Sequence, residues 1–294
     1  MENIASLIEF GSEALRKADI PLPEREASSI LQHVIGQNRT FVVAHPEYVP
    51  APGIEKSYIE AIERRAGREP FHYITGIKEF YGLDFEVSTA VLIPRPETEM
   101  LVERAISVLS GRETSSFCEV GVGSGCISVA LLANLPGASG AGLELSAAAI
   151  EVARANSIRH AVSARLELRE SNVFDALHAG ERFDLIVSNP PYVRAAALES
   201  LQPEVRDFEP RHALTDGADG MSIIRRIVQE APAFLHPGGK LMFEFGFDQA
   251  DEVRALLDPD IWASVRFEND LQGISRIVSA EFSYRGGTSH GVRS

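Results

Sequence analysis

Cysteine is almost absent from this chain: Cys118 and Cys126 are the only two in 294 residues, and tryptophan occurs once. Two cysteines build no disulfide framework, and their spacing fits no zinc or redox motif. Both lie around a glycine-rich stretch and read as reduced core thiols of a cytoplasmic protein, with no metal site expected. Long hydrophobic runs are missing as well, since no window approaches the roughly 18 consecutive apolar residues of a membrane helix. Glu2 and Glu9 fall inside the first apolar pattern and no basic start precedes it, so a secretory signal is not expected. Positive charge is scarce too. Lys and Arg number 28 against 42 Asp and Glu, a formal net charge of −14. Holding nucleic acid by phosphate neutralisation needs a basic surface. The balance therefore favours a protein or small-molecule substrate, with no membrane and no direct nucleic-acid partner expected.

What is present is an ordinary globular composition, 45% hydrophobic and 24% charged. The length suits one large α/β domain with a small accessory domain. Ile4, Leu7, Ile8 and Leu15 recur at helical spacing, as do Ala27, Ile30, Leu31, Val34 and Ile35 after Pro21 and Pro23. A third helical pattern runs from Ile54 to Arg65, with Tyr58, Ile59 and Ile62 on one face. No polar cluster converges in this part, so residues 1–78 are expected to form a helical domain without chemistry of its own. From Glu79 to Ile93 the pattern turns β-like, with Phe80, Leu83, Phe85, Val87 and Leu92, and predicts a hairpin linker over 79–95. Over 96–283, short apolar runs at 116–120, 141–145, 165–169, 183–188 and 240–245 alternate with helical patterns at 127–135, 147–155 and 222–234. That alternation predicts βαβ units and a mostly parallel sheet. The runs 264–269 and 275–280 have only a turn between them and are expected to pair antiparallel. The Gly- and Ser-rich stretch 284–294 is expected to be a disordered tail.

Two motifs carry chemistry. The first strand runs into Glu119, Gly121, Val122, Gly123, Ser124 and Gly125, and a helix follows. Glycines there let the backbone turn and let a ligand approach the main chain, while helix N–H groups face it. Glu144 ends the second strand, where an acid accepts hydrogen bonds from the hydroxyls of an adenosine ribose. A dinucleotide fingerprint wants Gly or Ala at Cys126. The alternating glycines favour S-adenosylmethionine instead. The second motif is Asn189-Pro190-Pro191-Tyr192, directly after the buried-strand pattern 183–188. Pro190 pushes Asn189 toward an extended backbone. The Asn189 side-chain carbonyl and the Pro190 backbone carbonyl are expected to accept the two hydrogens of one planar nitrogen, with Tyr192 stacked on or fencing it. These four residues form the expected substrate-binding set, with Asn189, Pro190 and Tyr192 catalytic. The motif names the acceptor's shape and leaves open an amide or the exocyclic amine of adenine.

Further stretches make the chain resemble the bacterial release factor glutamine methyltransferase family (PrmC or HemK) over 1–282. They are Arg68-Glu69-Pro70-Phe71-His72-Tyr73-Ile74-Thr75-Gly76, and Val91-Leu92-Ile93-Pro94-Arg95-Pro96-Glu97-Thr98-Glu99. Glu209-Pro210, Ala213-Leu214, Gly217 and Asp219-Gly220 follow at family spacing, then Glu244-Phe245-Gly246-Phe247-Asp248-Gln249 and Asp270-Leu271-Gln272-Gly273-Ile274-Ser275-Arg276. The resemblance implies a class I, Rossmann-like methyltransferase domain after a helical domain that recruits substrate. The implied substrate is the glutamine of the Gly-Gly-Gln motif in peptide chain release factors. Gly121 to Gly125 and Glu144 would hold the cofactor, with Asn189 beside it, and Phe71 and Arg95 would border the pocket. Arg95 reads equally well as a domain-bridging ion pair. The family usually has Asp where this chain has Glu119 and Asn172, the latter next to Val173. Both residues are expected to keep the cofactor role, Asn172 accepting from the adenine amino group through its carbonyl. Two other readings stand beside this one. An adenine amino-methyltransferase acting on DNA or RNA would flip its base out, and the acidic balance argues against it. A non-catalytic binding module would not need an intact glycine loop and acceptor motif.

Overall fold

The computed structural model describes residues 2–283, so the expected tail at 284–294 lies outside the described residues. The chain opens with helices α1 (Ile4–Lys17), α2 (Pro23–Ile35), α3 (Arg39–Ala44), α4 (Ile54–Ala66) and α5 (Phe71–Thr75). Strands β1 (Ile77–Phe80) and β2 (Leu83–Glu86) follow, then α6 (Thr98–Leu109), β3 (Ser115–Val120), α7 (Cys126–Asn134), β4 (Ala138–Glu144) and α8 (Ala147–Arg159). After β5 (Leu166–Glu170) and β6 (Phe183–Ser188) come the short helices α9 (Pro203–Phe208) and α10 (Arg211–Leu214). The chain continues with α11 (Ser222–Glu230), β7 (Leu235–Glu244), α12 (Ala250–Leu256), β8 (Trp262–Asn269) and β9 (Ser275–Phe282).

Among the described residues these elements form two compact units, 2–77 with 201–208, and 78–200 with 209–283. In the helical unit the apolar stripes read from the sequence face one another. Ile4, Leu7 and Leu15 of α1, Ala27, Ile30 and Leu31 of α2, and Tyr58 and Ile62 of α4 make its core. Asn3 caps α1 by accepting from the Ser6 N–H at 2.9 Å, and Pro23 opens α2, where its missing N–H costs nothing. Tyr58 donates its hydroxyl to the Ala27 carbonyl at 3.2 Å. A side chain at Gly11 would meet that hydroxyl oxygen at 2.1 Å, so only glycine lets α1 approach α4 here. The sequence reading treated 96–283 as one stretch, but 201–208 packs with the helical unit. Arg65, 5% exposed, explains why. A buried guanidinium must be paired, and it donates to Glu26 at 2.5 Å and to Glu204 of α9 at 3.1 Å.

The second unit holds a seven-stranded sheet of order β5-β4-β3-β6-β7-β9-β8. β5 through β7 pair in parallel, and β9 pairs antiparallel with both β7 and β8. This is the expected fold class: a mostly parallel sheet with an antiparallel end, preceded in sequence by helices and a hairpin. The hairpin itself is shorter than the β-like pattern. β1 and β2 join through Tyr81 (φ 52°) and Gly82 (φ 75°), the two positive φ values of a type I′ turn. Residues 87–97 are irregular, because Pro94 and Pro96 offer no ladder donor. Helix α6 was not foreseen, although Leu101, Val102, Ala105 and Leu109 bury one face of it.

Arg65→Ala should loosen the helical unit by about 2 kcal/mol, less than the roughly 3–5 kcal/mol of a fully buried pair because both glutamates keep some solvent. Faster hydrogen exchange at the α1, α2 and α4 amides, with β3 to β7 unchanged, is the expected outcome.

Candidate active site

In the sheet order, β3 and β6 are neighbours from which the chain departs in opposite directions, β3 toward β4 and β6 toward β7. Ligands of open α/β sheets bind outside the strand ends at such a switch point. Both chemistry-bearing motifs are there. The loop after β3 turns through Gly121 (φ 77°), Gly123 (φ 55°) and Gly125 (φ 80°). A Cβ at Gly121 or Gly123 would meet nothing, whereas one at Gly125 would press on Ala153 of α8 at 3.2 Å. The first two glycines thus leave room beside the backbone, and the third lets α7 and α8 close up. Asn156 of α8, fully buried, supports this loop from behind. Its Nδ2 donates to the Ser124 carbonyl at 2.9 Å and the Glu86 carbonyl at 3.0 Å, and its Oδ1 accepts from the Glu86 N–H at 2.7 Å.

Two acids lie at the carboxyl ends of the neighbouring strands β3 and β4 in different surroundings, Glu144 as the last residue of β4 and Glu119 as the next-to-last of β3. Glu144 accepts from the Gly123 N–H at 2.9 Å through Oε2 and from the Ser146 N–H at 3.0 Å through Oε1. Each oxygen keeps a further lone pair for a ligand. Glu119 accepts through one oxygen from the Ser128 N–H at 2.9 Å and from the Ser128 hydroxyl. Burial is the main influence on it and lifts its carboxyl to about 8. Ser128 pulls it back and the charge of Glu144 adds to the rise. Val173 adopts φ 53°, a strained backbone for a β-branched residue.

On the β6 side, Asn189 donates from Nδ2 to the Thr98 hydroxyl at 3.0 Å. Thr98 donates to Glu244 Oε2 at 2.8 Å, and Tyr192 donates its hydroxyl to Glu244 Oε1 at 2.9 Å. Burial raises the Glu244 carboxyl and the Tyr192 hydroxyl above their ordinary values, and the two hydroxyls that Glu244 accepts hold its own rise down. Arg95 donates to Glu209 at 2.7 Å, so its ion pair lies within the sheet unit.

One cavity of about 320 Å³ joins these features. Its walls include Glu119, Gly121, Val122, Gly123, Ser124, Glu144, Asn172 and Val173 on the loop side, and Arg95, Thr98, Asn189 and Pro191 on the other. Pro190 is buried, and Tyr192 packs its ring against the sheet core with its hydroxyl on Glu244. Tyr192 and Gly125 therefore shape the site from outside its wall. Phe71 belongs to the helical unit, where it packs on the core and meets His72 edge-on.

Known proteins match the same chain in the same order. The PrmC N-terminal domain model matches residues 6–76, and the methyltransferase small domain model matches residues 98–203. The release factor glutamine methyltransferase of Koribacter versatilis is 39% identical over 264 residues, covering 90% of this chain and 93% of its own. That of Geobacter sulfurreducens is 48% identical over 217 residues, covering 74% and 75%. That of Bordetella pertussis is 41% identical over 260 residues, covering 88% and 95%. The chain belongs to the release factor glutamine methyltransferase family. Among solved structures, the catalytic domain of hMettl16 in complex with MAT2A 3'UTR hairpin 6 aligns at TM-score 0.57 and 15% identity, covering 81% of this chain and 84% of that one. A methyltransferase from Pyrococcus furiosus aligns at TM-score 0.50 and 18% identity, covering 70% and 91%. At such identities the likeness shows the fold alone.

In this member of the family, sequence reasoning passed over four site residues. Thr98 and Glu244 were noted only as parts of the resemblance. Glu244 carried a signal, being a lone acid in the apolar run Leu241-Met242-Phe243-Glu244-Phe245 at a strand's carboxyl end. His212 and Asp216 also line the cavity, and nothing in their spacing marks them. Burial acts on Asp216 upward, but the Ser222 hydroxyl and the N–H groups of Ser222, Ala218 and Gly220 outweigh it and bring the carboxyl to about 2. The loop 216–222 is thereby folded around one carboxylate.

The raised carboxyl of Glu119 makes stability depend on pH. Below its ordinary value of 4.5 the group is protonated in folded and unfolded chains alike. Between there and about 8 only the unfolded chain releases the proton, so stability falls as pH rises through that window. Glu119→Gln should lose less stability than the parent between about pH 5 and pH 8. Urea denaturation of both proteins at the two pH values checks this, and parallel losses would show that Glu119 ionises normally.

Proposed function

We propose that this chain transfers a methyl group from S-adenosylmethionine to the side-chain amide nitrogen of the glutamine in the Gly-Gly-Gln motif of peptide chain release factors. The observation that carries the reading is the coincidence of a family relationship spanning nine-tenths of the chain with an Asn189 amide whose nitrogen is already committed to Thr98. That commitment leaves the carbonyl end for the acceptor.

The residues fit the cofactor. The spare lone pairs of Glu144 suit the two ribose hydroxyls, the open sides of Gly121 and Gly123 admit a ligand against the backbone, and the Asn172 carbonyl suits an amino group of the base. When bound, S-adenosylmethionine supplies an electrophilic methyl on a positively charged sulfur. The rest falls to the chain. An amide nitrogen is a weak nucleophile because its lone pair is delocalised. Asn189 Oδ1 and the Pro190 carbonyl accept its two hydrogens and aim the nitrogen, so the gain comes from orientation and fixed dipoles rather than from a strong base. Tyr192 holds the turn that carries both acceptors. Arg95, anchored by buried Glu209, is assigned to the pocket's border. Recruitment of the whole release factor is assigned to the helical unit, which presents packing periodicity and no reactive cluster.

Incubation with methyl-labelled S-adenosylmethionine and either release factor or DNA tests the reading, with label expected in the Gly-Gly-Gln peptide. Label in DNA adenine instead would overturn it. Asn189→Ala should lower single-turnover transfer by about 10²–10³, the cost of one preorganised hydrogen bond at a reacting centre, at nearly unchanged cofactor affinity. Glu144→Ala should do the opposite. A charge-assisted ribose contact contributes roughly 1.5–3 kcal/mol, so cofactor affinity should fall about tenfold to a hundredfold by calorimetry.

A further inference from the structure

We propose that Thr98, backed by Glu244, is a positioning residue for the methyl acceptor. It captures the nitrogen end of the Asn189 amide and so presents the carbonyl end to the acceptor, an inference that rests on the amide-methylation reading above. An asparagine amide has nearly the same shape after a half turn, which exchanges an acceptor for a donor. The half turn would set the Asn189 NH₂ against the NH₂ of an incoming glutamine, two donors face to face. The site therefore needs something that fixes the amide's polarity.

A threonine hydroxyl alone does not fix it, because its single hydrogen can point either way. Glu244 removes that freedom. In its ionised form Glu244 only accepts, and the 2.8 Å contact then takes the Thr98 hydrogen and leaves lone pairs facing Asn189 at 3.0 Å. The second carboxylate oxygen is occupied by the Tyr192 hydroxyl at 2.9 Å. Every hydrogen in the chain Asn189–Thr98–Glu244–Tyr192 then has one assignment. Thr98 is 1% exposed and Glu244 2%, so bulk water does not compete for these groups. Position comes from rigid elements: Thr98 is the first residue of α6, and Glu244 closes β7 beside β6, with Ser188 paired to Phe243. Thr98 and Glu244 are assigned no contact with the reacting atoms, so their effect on rate runs through Asn189.

Thr98→Val keeps the shape and removes the hydroxyl, Thr98→Ser restores it, and Glu244→Gln lets a donor face Thr98 and reverse the chain. Single-turnover methyl transfer to release factor should fall about tenfold to 10²-fold in Thr98→Val and Glu244→Gln, the scale of a misaimed acceptor group. Release-factor and cofactor affinities should stay within about twofold, and Thr98→Ser should recover most of the rate. Alongside, the Asn189 side-chain NH₂ signal, assigned by its loss in Asn189→Ala, should exchange slowly with solvent in the parent and Thr98→Ser and quickly in Thr98→Val. A parent-like rate in both Thr98→Val and Glu244→Gln overturns the proposal, as does a loss of rate matched by equal losses in both affinities and in melting temperature. If Thr98→Val does not fold, Glu244→Gln and Thr98→Ser decide by the same measures. If the parent itself methylates no release factor, the substrate reading falls, and the exchange measurement still decides whether Thr98 holds the amide.

Discussion

A carboxylate sealed inside a protein must be surrounded by donors, and Glu244 imposes that requirement on three separate stretches of chain. It ends β7 with almost no exposure. Its donors are the hydroxyls of Thr98, at the start of α6, and Tyr192, in the turn after β6. Removing either would leave charge unpaired where water does not reach, which is costly. The start of α6, the turn after β6 and the end of β7 are therefore held in mutual register at the switch point of the sheet. Gln249 adds to the tie by donating to the Tyr192 carbonyl at 2.9 Å while accepting from the Gly246 N–H at 2.8 Å.

Three glutamates at or near the cavity show how environment separates like groups. Glu144 is satisfied by backbone N–H groups and turns its spare lone pairs to the cavity. Glu119 shares Ser128 as its hydrogen-bond partner and is lifted to about 8 by burial. Glu244 spends both oxygens on hydroxyls. The first is suited to ligand contact, the second to anchoring the start of α7, and the third to orienting a neighbour. Sequence position alone does not separate them, since all three lie at or next to the carboxyl end of a strand.

Much of the fold was legible because its signals are local. The stripe Ile4, Leu7 and Leu15, the run 183–188 and the antiparallel end strands all follow from hydrophobic period and turn chemistry. The glycine loop and Asn189 were legible for a related reason: a strand end followed by glycines, or by two prolines, restricts the backbone strongly. What escaped depends on contacts distant in sequence. Helix α3 has six residues, too few to display a period. The packing of 201–208 with the helical unit rests on Arg65 meeting Glu204, 139 residues away. The partnership of Thr98 with Glu244 spans 146 residues, and no spacing rule connects such pairs. Tyr192 is expected to stack on or fence the planar group, and its bond to Glu244, 52 residues away, is again a pairing that no spacing rule connects.

The acceptor motif also explains why chemistry and identity are divided in this chain. Under the proposed reading, two fixed carbonyl acceptors would read a planar NH₂ and little else, so an amide and an adenine amine would look alike to Asn189 and Pro190. Selection between them has to come from groups that see the rest of the substrate. A surface that is acidic on balance repels a phosphate backbone, which leaves a polypeptide as the acceptor's carrier. The chain between Tyr192 and Glu209 runs from the acceptor motif through 201–208, which packs with the helical unit, to Glu209, whose buried carboxylate holds Arg95 at the cavity wall.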